Sequence, residues 1–177
     1  MSTLRAQDRL QPALLDRLTD DDTDARTDTA DTRVINRQRM RELVLRDLAW
    51  LFNATQPGTG IDFSRAPQAR NSVLNYGLPA LSGHTASTID PLVLQARVRQ
   101  AILDHEPRIL PASLSVEVVL TEAQMDHHNQ IGFRISGQLW AQPVPLEILL
   151  RTQIDLEAGQ VQVRDAGAGA FPSAATR

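Results

Sequence analysis

The sequence of 177 residues contains no cysteine, which excludes disulfide bonds, thiolate metal sites and a cysteine nucleophile. No apolar run is long enough to span a bilayer, and the N-terminus lacks the basic and apolar stretches of a secretion signal. The net charge of −3 does not suggest a nucleic-acid partner. These absences make a soluble cytoplasmic protein, without direct membrane insertion, the default expectation.

The N-terminal third predicts a short helix followed by a linker. Apolar residues recur there at helical spacing, at Leu10, Leu14, Leu15 and Leu18. So short a helix is marginal unless it docks on something. Residues 19–32 are mostly Asp, Thr, Ala and Arg, which predicts a flexible, disordered linker. The acidic run Asp20–Asp24 invites a calcium-loop interpretation, but Ala25 stands where the turn glycine belongs, so a solvated linker is favoured.

Two longer helices are predicted in the body of the chain. The first covers residues 34–53, with one apolar face made of Met40, Leu43, Val44, Leu48 and Leu51. The second begins at Asp90-Pro91, an N-cap followed by a proline at the first helical position. Pro107 ends it near His105. Between the two helices, residues 55–88 are predicted to form a loop pinned to the body by Val73, Leu74 and Tyr76.

In the C-terminal half apolar and polar residues alternate, which is typical of β-strands. The alternation begins at Leu114, again at Ile131 and again at Leu146, and a short final strand is predicted at Val161 and Val163. Gly137 is a candidate bulge. Trp140 and Leu149 fall on the polar face, where they either anchor a partner or lie under a helix. The chain is therefore predicted to be α+β, with two main helices packed on a small antiparallel sheet of three to four strands. Val161 and Val163 can form an open edge.

Glu106 has a distinctive setting, because it follows a helix C-terminus, where the macrodipole disfavours a negative charge. We therefore expect a cation beside it, and Arg108 is the nearest candidate, with an arginine from elsewhere or from a partner also possible. On these residues alone, a solvated turn with an incidental ion pair is the favoured interpretation.

The sequence contains no Gly-rich phosphate loop, nucleophile elbow or His-Glu metal helix. A glycosidase needs two carboxyl groups facing one cleft, and neither Asp104 nor Glu117 is an obvious companion to Glu106. His127 and His128 have no further ligand at metal-binding spacing nearby. The residues therefore support neither enzymatic activity nor a cofactor.

Four segments resemble a known family: Leu14–Leu18, Val44–Asn53, Ser72–Gly83 and Glu106-Pro107-Arg108. In that order they resemble the TssE family of bacterial type VI secretion baseplates, which belongs to the wedge proteins of contractile phage tails and carries an older name, lysozyme-like. The resemblance leaves out the linker and the C-terminal tail, whose composition predicts disorder. The chain is therefore divided into a docking segment (1–18), a linker (19–32), a wedge domain (33–164) and a disordered tail (165–177).

The resemblance implies a structural role at a baseplate docked on the cytoplasmic side of the inner membrane. The implied partners are the wedge proteins TssF and TssG, with TssK and the sheath proteins TssB and TssC. Glu106, Pro107 and Arg108 would serve assembly, while the partner-docking candidates are Leu14, Leu15, Leu18, Trp140 and Leu149. Val161 and Val163 would offer the edge strand that seeds the sheath by strand exchange. A muramidase is the alternative, motivated by the older name and Glu106.

Overall fold

The computed structural model describes residues 13–18, 35–57, 61–81, 89–119, 130–141 and 144–166. Its helices are α1 (Leu14–Leu18), α2 (Arg37–Asn53) and α3 (Pro91–His105). Its strands are β1 (Ser115–Val119), β2 (Gln130–Leu139), β3 (Leu146–Asp155) and β4 (Gln160–Asp165). The strands form one antiparallel sheet in the order β1-β2-β3-β4, so each strand pairs with its neighbour in the chain. The described residues confirm the α+β prediction.

Side-chain caps determine where the two long helices begin. The Asn36 side chain accepts a hydrogen bond from the Arg39 N–H at 2.7 Å, so α2 starts at Arg37, three residues later than predicted. The Asp90 side chain accepts one from the Leu92 N–H at 2.8 Å, and α3 ends at His105 as predicted. Local sequence therefore sets these three helix boundaries.

Both long helices cover the same face of the sheet. Arg41 of α2 donates to the Glu147 carbonyl on β3 at 2.7 Å, and the Gln95 side chain of α3 accepts from the Val118 N–H on β1 at 3.2 Å. Alternate strand residues enter the core between helices and sheet, among them Phe133, Ile135, Leu150 and Ile154. The residues between them point to the opposite, exposed face.

The predicted anchors of the loop between α2 and α3 were partly wrong. Val73 is 81% exposed and Leu74 is 71% exposed, because residues 73–75 form a single 3-10 turn that directs both side chains outward. The loop is held instead by Leu78, which is buried and forms a parallel bridge with Thr55. Asn75 is also buried and donates to the Arg70 carbonyl at 3.0 Å.

The predicted bulge at Gly137 was also wrong. Gly137 pairs with Ile148 within an uninterrupted register between β2 and β3. A Cβ atom at this position would lie 3.4 Å from Cγ2 of Ile109. The glycine therefore allows a close approach of the segment that follows α3, and it introduces no irregularity in the strand.

Candidate functional site

The Glu106-Pro107-Arg108 triplet connects α3 to the end of β2. The Glu106 N–H closes α3 by donating to the Ile102 carbonyl at 2.8 Å. Beyond the triplet, Ile109 forms an antiparallel bridge with Leu139. On the two sides of that bridge, the Trp140 N–H donates to the Arg108 carbonyl at 2.7 Å and the Leu110 N–H donates to the Gln138 carbonyl at 2.8 Å. The triplet is thus fixed at both ends by backbone hydrogen bonds.

The cation expected beside Glu106 is Arg108. The Arg108 Nε donates to Glu106 Oε1 at 2.7 Å and Nη2 donates to Oε2 at 2.5 Å, a two-pronged pair of the kind that guanidinium and carboxylate favour. The Arg108 backbone N–H also donates to Oε1 at 3.1 Å. The Glu106 side chain is only 4% exposed and that of Arg108 is 20% exposed. This is therefore a buried ion pair, in contrast to the solvated turn that the three residues alone favoured.

Arg108 also reaches α2, which the sequence pattern did not reveal. Its Nη2 lies 2.5 Å from Asp47 Oδ2. The next residue back, Arg46, donates from Nε and Nη2 to Asp47 Oδ1 at 2.9 and 2.7 Å. The Arg46 Nη2 is also 2.7 Å from Asp16 Oδ1 of α1. We call these five residues, Asp16, Arg46, Asp47, Arg108 and Glu106, the ionic network.

The ionic network has three carboxylates and two guanidinium groups, so it carries one excess negative charge. Burial lowers the pKa of Arg108, but its hydrogen bonds and charge interactions with Glu106 and then with Asp47 outweigh burial and leave the pKa raised. Arg108 is therefore a permanent cation here. Its Nη1 is buried and has no acceptor among the described residues. The network therefore retains an unused donor as well as an unbalanced charge.

Tyr76 lies beside the ionic network and stacks edge-on against His105, with ring centroids 5.1 Å apart. Its pKa is raised above the ordinary value by burial and, secondarily, by the negative charges of Asp47 and Glu106. The loop that precedes α3 thus contacts the same region as the triplet. The resemblance placed Tyr76 and the triplet in separate segments of the chain, and the fold brings them together.

The ionic network joins α1 to the domain. Leu14, Leu15 and Leu18 are 70%, 50% and 73% exposed, so they form an uncovered apolar surface within the described residues. Beside them, the Arg46 guanidinium lies 4.7 Å from the centroid of the Trp50 ring, and Trp50 is itself 52% exposed. The predicted docking leucines therefore stand next to one end of the ionic network.

Trp140 and Leu149 occupy different environments. Trp140 is 57% exposed and follows β2, next to the backbone of Arg108, so it adjoins the other end of the ionic network. Leu149 is half-buried on the face of the sheet opposite the helices, paired with Ser136. Only Trp140 thus lies near the triplet, and no described helix covers it.

β4 is one edge of the described sheet. The side chains of Val161 and Val163 point toward the core, whereas their backbone groups point away from the sheet. The Val161 side chain is buried and Val163 is half-buried against the core. The Ala166 N–H donates to the Leu149 carbonyl, which places the even-numbered residues of β4 in the hydrogen-bonded pairs with β3. The backbone groups of Val161 and Val163 therefore point away from β3.

The side chain of Asn53, at the end of α2, occupies one of these outward positions. Its Nδ2 donates to the Val161 carbonyl at 2.8 Å, and its Oδ1 accepts from the Val161 N–H at 2.9 Å. One amide thereby imitates the pairing that a neighbouring strand would make. Asn53 was not recognised in the sequence, since only the register shows which backbone groups of β4 face outward.

The family model for baseplate wedge protein gp25 matches residues 38–144. This match covers more than half of the chain and includes α2 from its second residue, α3 and the triplet, so the chain belongs to the baseplate wedge protein gp25 family. The family gives the chain a structural role in a phage-tail-like baseplate. No curated protein and no solved structure matches the chain.

Some of the sequence predictions fall on residues that the structure does not describe. The linker with its acidic run, the tail beyond residue 166 and the adjacent His127 and His128 lie outside the described residues. Among the helices that are described, none combines the length and the apolar character needed to cross a membrane.

Proposed function

We propose that this chain is the wedge protein of a type VI secretion baseplate, which binds TssF and TssG and provides the seat for the contractile sheath. Membership of the gp25 family supports a baseplate role, and the resemblance to TssE supports this particular machine. The observation that carries the proposal is the ionic network, because it connects the docking helix, α2 and the assembly triplet in one place.

The chemistry of the ionic network suits a surface that is completed by another subunit. A partner's basic group would balance the excess negative charge, and Asp47 is accessible to it because its side chain is 24% exposed. The exposed Trp50 and Trp140 flank the network at opposite ends, and exposed aromatics are common anchors of protein interfaces. On this proposal TssF and TssG contact this region, while Leu14, Leu15 and Leu18 dock on a wedge subunit.

The sheath would begin at β4. An extended segment of TssB or TssC can add to the sheet through main-chain hydrogen bonds. The Asn53 side-chain amide already pairs with the outward-facing N–H and carbonyl of Val161. An incoming strand would therefore pair with the backbone of Val163 and of the residues after it, or displace the Asn53 amide. TssK would join through the assembled wedge. The protein would then act at the cytoplasmic side of the inner membrane.

The wedge role is tested by co-expressing the intact chain with TssF and TssG, followed by affinity capture and sizing. We expect a defined complex that contains all three proteins. A folded chain that elutes alone, while TssF and TssG associate with each other, would contradict the wedge role. Capture of TssK and of TssB–TssC by the same complex is tested in parallel.

The sheath-seeding role is tested with two proline variants at the two edges. Val163→Pro removes an outward N–H of β4 without removing a hydrogen bond to β3, and Val116→Pro is the matched change on the other edge strand. We expect Val163→Pro to reduce TssB–TssC polymerisation from assembled wedges, and Val116→Pro to leave it unchanged. Equal polymerisation from both variants would contradict seeding at β4.

The muramidase alternative is not supported by the position of Glu106, the residue that motivated it. A groove of about 570 Å³ between residues 61–81 and α3 is lined by Asp90 and Asp104, but not by Glu106. The Glu106 carboxylate is engaged by Arg108 on both oxygens, so neither oxygen is free to face a substrate in this groove. Release of soluble fragments from purified cell wall, abolished in Glu106→Gln, would revive the alternative.

A further inference from the structure

Three arginines stand side by side on the face of the sheet opposite the helices. Arg134 on β2 is directly opposite Arg151 on β3, and Arg151 is directly opposite Arg164 on β4. All three side chains are exposed. Since neighbouring strands are about 4.8 Å apart, the three form a straight row about 10 Å long. We call it the arginine row.

The arginine row is unfavourable for the isolated fold. Like charges directly opposite one another in a sheet are destabilising. Among the described residues none of the three arginines has an ion pair, and Arg164 only donates to the amide oxygen of Gln162 at 3.0 Å. Glu117 pairs with Arg134 at the β1 end of the row, so it offers one carboxylate to three guanidinium groups. A net cationic stripe thus remains on a chain that is acidic overall.

A shallow depression of about 400 Å³ adjoins the row. It lies over Gly132, which has no side chain, and it is bordered by the amides of Gln153 and Gln162. These amides can hydrogen-bond to a backbone, while the arginines attract carboxylates. This face of the sheet therefore has a cationic stripe next to a shallow depression that is bordered by hydrogen-bonding amides.

We propose that the arginine row is a docking surface for an acidic segment of another protein. Its spacing suits a segment that repeats carboxylates every 5 to 6 Å or so, as residues four apart on one side of a helix do. This surface lies on the face opposite the ionic network, and it does not depend on the wedge role. Charge complementarity identifies the chemistry of the partner.

The acidic run Asp20–Asp24 and the connection between β1 and β2 are poorer occupants. Asp20 to Asp24 follow α1, which the ion pair between Asp16 and Arg46 holds on the helix side of the domain. Asp24 is at most about 20 Å along the chain from Leu18. A chain of that length can span about one helix layer plus the sheet. It is too short to pass around the sheet edge as well. The connection between β1 and β2 carries only two carboxylates, Glu122 and Asp126.

The proposal is tested with the full chain and a defined probe. The probe is a synthetic alanine-based helical peptide with glutamate at every fourth position, and its control has glutamine in the same places. Binding is followed by NMR through the arginine side-chain N–H signals at low ionic strength. We expect the glutamate peptide to shift the signals of the row, and the glutamine peptide to leave them unchanged.

Matched triple variants distinguish the row from general attraction. The triple variant Arg134→Gln/Arg151→Gln/Arg164→Gln loses three weak ion pairs with the glutamate peptide. Its dissociation constant for that peptide should therefore be about tenfold higher. The control triple, Arg37→Gln/Arg65→Gln/Arg99→Gln, removes the same charge from exposed positions elsewhere and should bind with unchanged affinity. Equal weakening in both triples, or no binding by the unmodified chain, would overturn the proposal.

Two further outcomes separate the remaining explanations. Relief of repulsion in Arg151→Gln should raise Tm by about 1–3 °C, whereas a lower Tm would mean that the row stabilises the fold and would count against a docking role. Changing Asp20, Asp21, Asp22 and Asp24 to Asn together should leave peptide affinity unchanged. Tighter peptide binding in that variant would mean that the chain's own acidic run occupies the row, and would overturn the assignment to another protein.

Discussion

The guanidinium of Arg108 lies 2.5 Å from the Asp47 carboxylate, although the two residues are 61 positions apart in the chain. This contact connects the segment after α3 to the middle of α2. Because Arg108 simultaneously binds Glu106, and Asp47 simultaneously binds Arg46, a change at any of these four residues alters the pairing of the others.

Among single changes in the ionic network, Arg108→Ala should be the most destabilising. It leaves the Glu106 carboxylate buried without its cation, which typically costs about 3–5 kcal/mol. Asp47→Asn should cost only about 1–2 kcal/mol, because the Asp47 side chain is 24% exposed and Arg108 still forms its ion pair with Glu106. Urea unfolding measures both changes, with the exposed Glu42→Gln as a control expected to fall within about 0.5 kcal/mol of the unmodified chain. Equal effects of Arg108→Ala and Glu42→Gln would show that the buried pair contributes nothing.

The phenol of Tyr76 should titrate above its ordinary pKa. Tyr76 is the only tyrosine in the chain, so phenolate absorbance in the near ultraviolet reports it alone. Burial and the charges of Asp47 and Glu106 raise its pKa, and Asp47→Asn should therefore lower that pKa toward about 10. A Tyr76 pKa at or below the ordinary value in the folded chain would contradict the placement of the ring.

The same shift predicts how stability depends on alkaline pH. The native state keeps the phenol proton at a pH where the unfolded state has lost it, so the free energy of unfolding falls as pH rises from about 10 through the native pKa of Tyr76. The chain contains no lysine and no cysteine, so no other side chain except arginine titrates in that range. Tyr76→Phe should remove the slope, and an unchanged slope would assign it to another cause.

Gly77 should tolerate no side chain. Its φ is +116°, and a Cβ atom would lie 2.3 Å from the carbonyl oxygen of Ala54. Gly77→Ala should therefore cost about 2–4 kcal/mol, through strain and disruption of the bridge between Thr55 and Leu78. Gly137→Ala is the matched control, and its nearest contact of 3.4 Å predicts a much smaller loss in urea unfolding. A larger loss of stability in Gly137→Ala than in Gly77→Ala would contradict the conformation of the loop at Gly77.

Asn53→Ala should uncover the edge of β4. Water can replace part of the lost hydrogen bonding because Asn53 is exposed, so the loss of stability should be about 1 kcal/mol. Exposed strand edges promote pairing between copies, and the variant should therefore self-associate more at high concentration. Analytical ultracentrifugation compares it with the exposed control Asn71→Ala. Identical sedimentation of the two variants would show that Asn53 does not protect the edge.

Much of the fold followed from local sequence signals. Asp90-Pro91 and Pro107 bounded α3, and alternation located all four strands. The same reasoning missed that Val73 and Leu74 point outward, since apolar character alone does not specify how a short 3-10 turn directs its side chains. Gly137 was assigned to a bulge because its close neighbour, Ile109, is distant in sequence.

The candidate site was predictable only in part. The spacing of Glu106 and Arg108 indicated their ion pair, but Asp47 and Asp16 come from distant helices and carried no comparable signal. Similarly, alternation predicts that Arg134, Arg151 and Arg164 face away from the core, whereas only the register between strands shows that they stand in one row.

The most direct test of the assembly role compares three variants in the co-expression with TssF and TssG. Glu106→Gln and Asp47→Asn change the ionic network with little change in side-chain volume, while Glu42→Gln changes an exposed carboxylate of α2. We expect both network variants to remain folded by circular dichroism but to lose about tenfold or more of the captured complex, which corresponds to about 1.4 kcal/mol of binding energy. Glu42→Gln should be captured normally. Full capture of both network variants would contradict the claim that the ionic network serves assembly.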